Sequence, residues 1–150
     1  MRLYLDCCCY NRPFDDQSQN RIHDESEAIL SLLNRCRTNH NVILDSAILR
    51  FEISQISILD KKNKVLILHQ AATEYIHYSG AVKKRAEEIS ALTSIHPMDA
   101  LHLASAEAGK ADVFLSTDDR LIKNCKKIKL PFSVMNPVSY LAEVIENDEY

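Results

Sequence analysis

Four acidic residues interrupt apolar segments of the chain, and together they constrain its fold more than any other sequence feature. They are spread over the whole of the 150 residues and are Asp6, Glu52, Asp99 and Asp118. A carboxylate beside a hydrophobic core costs several kcal/mol unless a partner or a metal ion neutralises it. We therefore expect a fold that gathers the four acids around a divalent cation.

Length and composition fit one folded domain over residues 1–150. Hydrophobic residues make up 46% of the 150 residues. A chain of this length can form one domain with a real core but is too short for two comfortable domains. The formal net charge of -3 means that any contact with nucleic acid would use local basic patches. No apolar run approaches the roughly 20 residues of a membrane span, and the first residues carry no secretory signal. We expect a cytoplasmic protein that does not contact a membrane.

Short apolar segments alternate with helical patterns along the chain. Strands are predicted at residues 2–5, 42–44, 113–116 and 132–134. Helices are predicted at 22–37, 45–57, 65–78, 81–92 and 97–108, from 118 into a basic run ending at 129, and from 137 to 146. Residues 9–20 are predicted as a polar loop, 59–64 as a charged turn, and Asn39-His40-Asn41 as the end of the first long helix. This order predicts an α/β fold of three layers, a short and mainly parallel central sheet with helices on both faces.

Two of the acids follow predicted strands, where parallel sheets place their sites. Asp6 ends the first strand and Asp118 follows the segment 113–117, so both lie at the carboxyl edge of the predicted sheet. Asp99, behind Pro97, and Asp118 also stand at helix starts, where either could serve only as a cap. Asp6 and Glu52 show no capping role in the sequence, which favours metal binding for them.

The oxygen ligands of such a cluster suit Mg²⁺ or Mn²⁺. A metal held by the four acids would lower the pKa of a bound water and screen a phosphodiester from their negative charge. This chemistry predicts a water attacking phosphorus, with no side-chain nucleophile.

The order of these motifs resembles that of PIN domains over nearly the whole chain. The motifs are Leu3-Tyr4-Leu5-Asp6, Glu52 on a helix, Pro97-Met98-Asp99-Ala100-Leu101-His102-Leu103-Ala104 and Phe114-Leu115-Ser116-Thr117-Asp118. PIN domains are α/β nucleases with an acidic Mg²⁺ or Mn²⁺ site, and many small ones are toxins of type II toxin–antitoxin pairs that cleave RNA. The resemblance implies a metal-dependent endoribonuclease with an RNA substrate and a cognate antitoxin. The apolar stripe of residues 22–36, with Leu66, Ile67 and Ala71, is interpreted as core, with the face of a homodimer as the alternative.

Other residues near the four acids are candidates for a supporting role. The spacing of Ser116 and Asp118 matches the hydroxyl–x–acid pattern of the family, so Asp119 is held in reserve. Thr117 and Asn11 could also orient the acids, although Cys7-Cys8-Cys9 stands where the family often has Thr or Asn. His102 lies one helical turn after Asp99 and is expected to be a satisfied core histidine.

Basic residues that could contact RNA flank the acid motifs. The candidates are Arg12, Lys123, Lys126 and Lys127. The leading alternative for such patches is a solvated helix face or turn.

The five cysteines are expected to be reduced thiols. Three of them are adjacent and the count is odd, which makes a poor disulfide framework, and they lack the spacing of a zinc site. They are interpreted as small packing residues.

Two other functions remain open from the sequence. A catalytically inactive PIN-like binding or scaffolding module is the first, although the intact set of acids disfavours it. A haloacid-type phosphohydrolase is the second, but its chemistry needs an acid two residues after Asp6, where this chain has Cys8.

Overall fold

The computed structural model of the protein describes residues 1–38 and 41–148. Its strands are β1 Arg2–Leu5, β2 Val42–Ser46, β3 Glu74–Ile76, β4 Val113–Leu115 and β5 Ser133–Met135. Its α-helices are α1 Cys7–Asn11, α2 Asn20–Thr38, α3 Ala47–Ser54, α4 Leu59–His69, α5 Gly80–Leu92, α6 Pro97–Ala108, α7 Asp119–Cys125 and α8 Pro137–Asp148, with a short 3₁₀ helix at Arg12–Phe14.

The five strands form one parallel sheet in the order β3-β2-β1-β4-β5. The central strand is β1, where Leu3 is paired with Ile43 on one side and with Val113 on the other. Since every strand runs in the same direction, all the strands end at the same edge. The first residues of the chain therefore sit in the middle of the sheet.

The two faces of the sheet carry separate cores, as side-chain alternation along a strand requires. Leu3 and Leu5 point to one face and pack with residues of α1, α2, α3, α4 and α8. Tyr4 points to the other face, where Phe114 joins it against α5, α6 and α7. The predicted α/β class with helices on both faces of the sheet is confirmed.

Several predicted boundaries agree with the structure. The helix at Pro97–Ala108 is confirmed at both ends, with Pro97 in its first turn and Gly109 at its C-cap. Ser46 caps α3 by accepting from the Leu49 amide, and Asp118 caps α7. The predicted end of the first long helix falls partly on residues 39 and 40, which lie outside the described part. Thr38 is the last residue of α2 that the structure describes.

The prediction for residues 59–78 was wrong in two places, although its helix is confirmed over residues 65–69. The expected charged turn at 59–64 is the first half of α4, which ends at His69, and β3 lies inside the stretch expected to be helical. The charged residues occupy the solvent side of α4, where Asp60 and Lys64 pair across one helical turn at 3.1 Å. The three residues of β3 form an edge strand too short to produce an alternating pattern.

The polar loop predicted at residues 9–20 is also partly helical. The helix α1 begins at Cys7, and the 3₁₀ helix follows it directly. Smaller differences concern α3, which ends at Ser54, and β5, which begins at Ser133. Within the described ranges, no helix is long and apolar enough to cross a membrane.

Candidate active site at the carboxyl edge of the sheet

The first acid of the site lies where the central strand ends. Asp6 follows β1 directly, and its backbone N–H donates to the carbonyl of Leu115 on the neighbouring strand at 2.9 Å. The next residues after Leu115 lead to Asp118, so the two strand-end acids come from adjacent strands. The carboxyl edge of the sheet thus holds Asp6 and Asp118 as predicted.

Asp6 is 6% exposed, and both of its carboxylate oxygens are held. The Cys7 amide donates to Oδ1 at 2.7 Å, and the Ser116 hydroxyl donates to Oδ2 at 3.1 Å. The first contact makes Asp6 the N-cap of α1, which corrects the expectation that it has no capping role. Burial raises the pKa of Asp6, and the nearby carboxylate of Glu52 raises it further.

Asp99 lies half-buried in the first turn of α6, and the charges of the other acids affect its pKa. Burial is the main cause that raises its pKa from 3.8 to about 6, followed by repulsion from Asp6 and, more weakly, from Asp118 and Glu52. The other three acids therefore all lie within electrostatic reach of Asp99. Their like charges favour a cation among them.

Asp118 and Asp119 are neighbours in sequence but face different partners. Asp118 Oδ1 accepts from the amides of Arg120 and Leu121, at 3.0 and 3.2 Å, at the start of α7. Asp119 forms a two-bond ion pair with Arg21 of α2, at 2.7 and 2.8 Å. The position of Asp119 against α2 supports the choice of Asp118 as the site acid.

Glu52 is held by a buried histidine. Its Oε1 is hydrogen-bonded to Nε2 of His102, which is 0% exposed. Burial alone would lower the pKa of His102, but the bond to Glu52 and the charges of Asp6 and Asp99 outweigh it and raise that pKa. The expectation of a satisfied core histidine is met, and its partner is a site acid.

The donor set of this site fits a hard divalent cation. Ligand atoms of Asp6, Glu52 and His102 lie within 4.8 Å of one another. Asp99 adds a third carboxylate within electrostatic reach, and Asp118 a fourth. A set dominated by carboxylate oxygens suits Mg²⁺ or Mn²⁺ better than the softer metals that thiolates bind.

Of the residues expected to support the acids, only Ser116 is seen to contact one directly. Its hydroxyl donates to Asp6 and also accepts from the Asp118 amide at 3.1 Å. The Thr117 carbonyl accepts from Arg21 at 3.2 Å, and the Asn11 amide group donates to the Cys7 carbonyl at 3.2 Å. Thr117 thus contributes to the segment between β4 and α7, and Asn11 to the last turn of α1.

The basic candidates are not gathered at the acids. Arg12 donates to the buried carboxylate of Glu25 at 2.9 Å and lies 3.4 Å from Asp15, so its guanidinium serves the fold. Lys123, Lys126 and Lys127 are exposed towards the end of α7 and beyond it. At 1.5 Å per residue, Lys126 at the C-cap of this helix lies roughly 12 Å from Asp118 at its N-cap.

The five cysteines are free thiols, as expected. Burial raises the pKa of Cys7 and of Cys125 to about 12, and it also raises the pKa of Cys9. Thiols with such high pKa values stay protonated near neutral pH and are poor nucleophiles. Their buried positions agree with a packing role.

Two features of the site have no signal in the sequence. In the sequence Tyr4 is an ordinary strand residue. In the structure its hydroxyl contacts both His102 and Ser46 beneath the site. Glu25 reads as part of a solvated helix face, yet it is 1% exposed and bound by Arg12, Arg21 and Asn136. Only the folded chain brings these partners together.

Comparison with known proteins adds a family model and two solved structures. The model described as PIN domain matches residues 10–127. VapBC2 from Rickettsia felis, in a crystal structure bound to a DNA fragment from its promoter, is similar at 18% identity with a TM-score of 0.60. The match covers 91% of this chain and 98% of that one.

A toxin–antitoxin complex from Klebsiella pneumoniae is similar at 15% identity with a TM-score of 0.54, covering 89% of this chain and 99% of that one. At these identities the two likenesses concern the fold. A search of curated proteins gave no match.

Proposed function

This chain belongs to the PIN domain family, a family of nucleases, and we propose that it is a metal-dependent endoribonuclease. The observation that carries the proposal is the convergence of four acids, from two strand ends and two helices, on one edge of the sheet. Burial, followed by repulsion from Asp6, raises the pKa of Asp99 to about 6, and a bound cation would offset that repulsion.

The four acids Asp6, Glu52, Asp99 and Asp118 would hold Mg²⁺ or Mn²⁺. Such a cation, when bound, lowers the pKa of coordinated water and offsets the negative charge that develops on a phosphodiester. The contribution of the chain is to hold the carboxylates ready, so that little reorganisation is needed when substrate arrives.

Four hydrogen bonds supply this preorganisation. The Cys7 amide and the Ser116 hydroxyl each hold one oxygen of Asp6, so its carboxylate cannot rotate freely. The first amides of α7 hold one oxygen of Asp118. Burial raises the pKa of Cys7 and of Cys9, which makes these thiols poor nucleophiles and favours water in that role.

The test is cleavage of single-stranded RNA with Mn²⁺, with and without EDTA. We expect EDTA to abolish cleavage and added Mn²⁺ to restore it. RNA binding without cleavage at any metal concentration would instead support a binding module, and undiminished cleavage in EDTA would refute the metal role.

A matched pair of variants tests the assignment of the acids. Asp118→Asn keeps a side chain that can cap α7, so we expect the fold to survive while activity falls by at least about 100-fold, as for loss of one strong electrostatic contact. Asp119→Asn removes an exposed ion pair with Arg21 and should keep most of the activity. Equal losses in the two variants would contradict the assignment.

We further propose that the domain spans residues 1–150 and acts in the cytoplasm as the toxin of a type II pair. Support comes from the two solved structures of similar fold, one of VapBC2 and one described as a toxin–antitoxin complex. A short reading frame next to the gene should encode a protein that co-purifies with this chain and suppresses its cleavage of RNA. Light scattering of the purified chain would show whether it is a homodimer.

A further inference from the structure

Among the described residues, Glu52 is the one site acid that is hydrogen-bonded to a buried side chain of another helix. Glu52 lies on α3, and its side chain is 31% exposed. His102 comes from α6, one turn beyond Asp99, and its Nε2 meets Glu52 Oε1. The carboxylate only accepts hydrogen bonds, so Nε2 carries the hydrogen.

The other ring nitrogen of His102 continues a chain of buried hydrogen bonds. Nδ1 lies 2.6 Å from the Tyr4 hydroxyl, which lies 2.7 Å from Oγ of Ser46. Ser46 Oγ in turn accepts from the Leu49 amide at 3.0 Å. The hydroxyls can therefore be ordered in one direction, with Ser46 donating to Tyr4, Tyr4 donating to Nδ1, and Nε2 donating to Glu52.

The members of this chain are fixed by packing as well. Tyr4, Ser46 and His102 are each 0% exposed. The Tyr4 ring stacks on Phe114 at 5.2 Å between centroids and meets the His102 ring edge-on at 5.7 Å. Two neighbouring strands and helices α3 and α6 are thus linked beneath the acids.

We propose that His102 is a positioning residue that holds the Glu52 carboxylate in the geometry required to bind the divalent cation. The hydrogen bonds from Ser46 to Tyr4 and from Tyr4 to His102 fix the orientation of its ring. The inference rests on the proposed metal-dependent function. His102 acts through Glu52, because both of its ring nitrogens are already occupied and its side chain is fully buried. Partners of this kind behind metal ligands commonly change metal affinity by about 10- to 100-fold.

The experiment is a double-mutant cycle read by calorimetric titration of Mn²⁺ into the full chain without RNA. The variants are Tyr4→Phe, Glu52→Gln and the two combined. Tyr4→Phe removes one hydroxyl and leaves the ring stacking, and we expect it to weaken Mn²⁺ binding by about 10-fold. In the Glu52→Gln background the same change should cause little further loss, since the carboxylate that it positions is gone.

Tyr10→Phe is the matched control. Tyr10 is also 0% exposed, and its hydroxyl has no hydrogen-bond partner among the described residues. Its removal should leave Mn²⁺ affinity unchanged. The same titrations on His102→Gln, which keeps a side-chain N–H donor, and His102→Leu, which does not, provide a second test if Tyr4→Phe fails to fold; the Gln variant should bind Mn²⁺ more tightly than the Leu variant.

The outcomes separate this inference from the proposed function. Wild-type protein that binds no Mn²⁺ would overturn both. Mn²⁺ binding that is unaffected by Tyr4→Phe, or losses that add fully in the double mutant, would overturn only the positioning role. A loss confined to variants that retain Glu52 supports it.

Discussion

Replacement of Asp99 by Asn should stabilise the metal-free protein and abolish its response to metal. At neutral pH the Asp99 carboxylate is ionised, although burial and the charge of Asp6 raise its pKa from 3.8 to about 6. An acid with a raised pKa in the folded state destabilises the fold once it is ionised. Stability therefore falls as pH rises from about 4 to about 6, and the full cost is present above that range.

The size of this cost follows from the pKa gap. At about 1.36 kcal/mol per pKa unit, the rise from 3.8 to about 6 corresponds to at most about 3 kcal/mol. Asp99 is only half-buried, so solvent screening lowers the figure, and Asn also loses the favourable interaction with the start of α6. We expect a net gain of about 1–1.5 kcal/mol, or an increase in Tm of about 2–6 °C.

Thermal unfolding in EDTA at pH 7.5 and at pH 4 measures the effect. The Tm of Asp99→Asn should exceed that of the wild type at pH 7.5. The two should nearly agree at pH 4, where Asp99 is protonated in the folded chain and the pH lies close to the unfolded pKa of 3.8, so that little of the cost remains. With Mn²⁺ added at pH 7.5, the order should reverse, because the wild type gains more from binding.

Asp24→Asn is the matched control for this experiment. Asp24 is exposed on α2, away from the acids, and the same charge change there should alter stability by less than about 0.5 kcal/mol. A Tm for Asp99→Asn that is equal to or below the wild-type value at pH 7.5, in protein shown to be folded, would refute the electrostatic reasoning.

Two further predictions concern the cysteines and the basic end of α7. Serine at positions 7–9 should leave the rate of RNA cleavage near wild type and lower Tm, because these thiols pack in the core; a folded variant without turnover would contradict this. Glutamate at Lys126 and Lys127 should weaken RNA binding and flatten its salt dependence by roughly one unit or less per lysine, with the saturated rate unchanged. Glutamate at Lys83 and Lys84, exposed on α5, is the comparison, and equal effects of both pairs would indicate non-specific attraction.

Local patterns were sufficient to predict most of the elements and the position of two acids at strand ends. Asp6 and Asp118 follow apolar strands, and a parallel sheet brings such strand ends to one edge whatever lies between them. Pro97 and Gly109 marked both ends of α6, which carries Asp99. By contrast, the edge strand β3 was missed, because three residues give no period and the charges of α4 resembled a turn.

The contacts that support the acids could not be predicted in this way. Tyr4 and His102 are separated by 98 positions, and nothing in the sequence near either residue reveals the other. The capping role of Asp6 was missed for a related reason, since α1 has only five residues and its cysteines give no helical pattern. Partners that meet only through tertiary packing need the structure.

The central place of β1 has a consequence for how the protein is made. Asp6 leaves the ribosome 110 positions before its partner Ser116. At the usual 5–20 residues per second, the strand that completes the carboxyl edge emerges at least about 5 s after Asp6. A chain whose synthesis has not yet reached Asp118 therefore lacks an assembled acid cluster, and the nuclease gains its active site only after that residue has emerged.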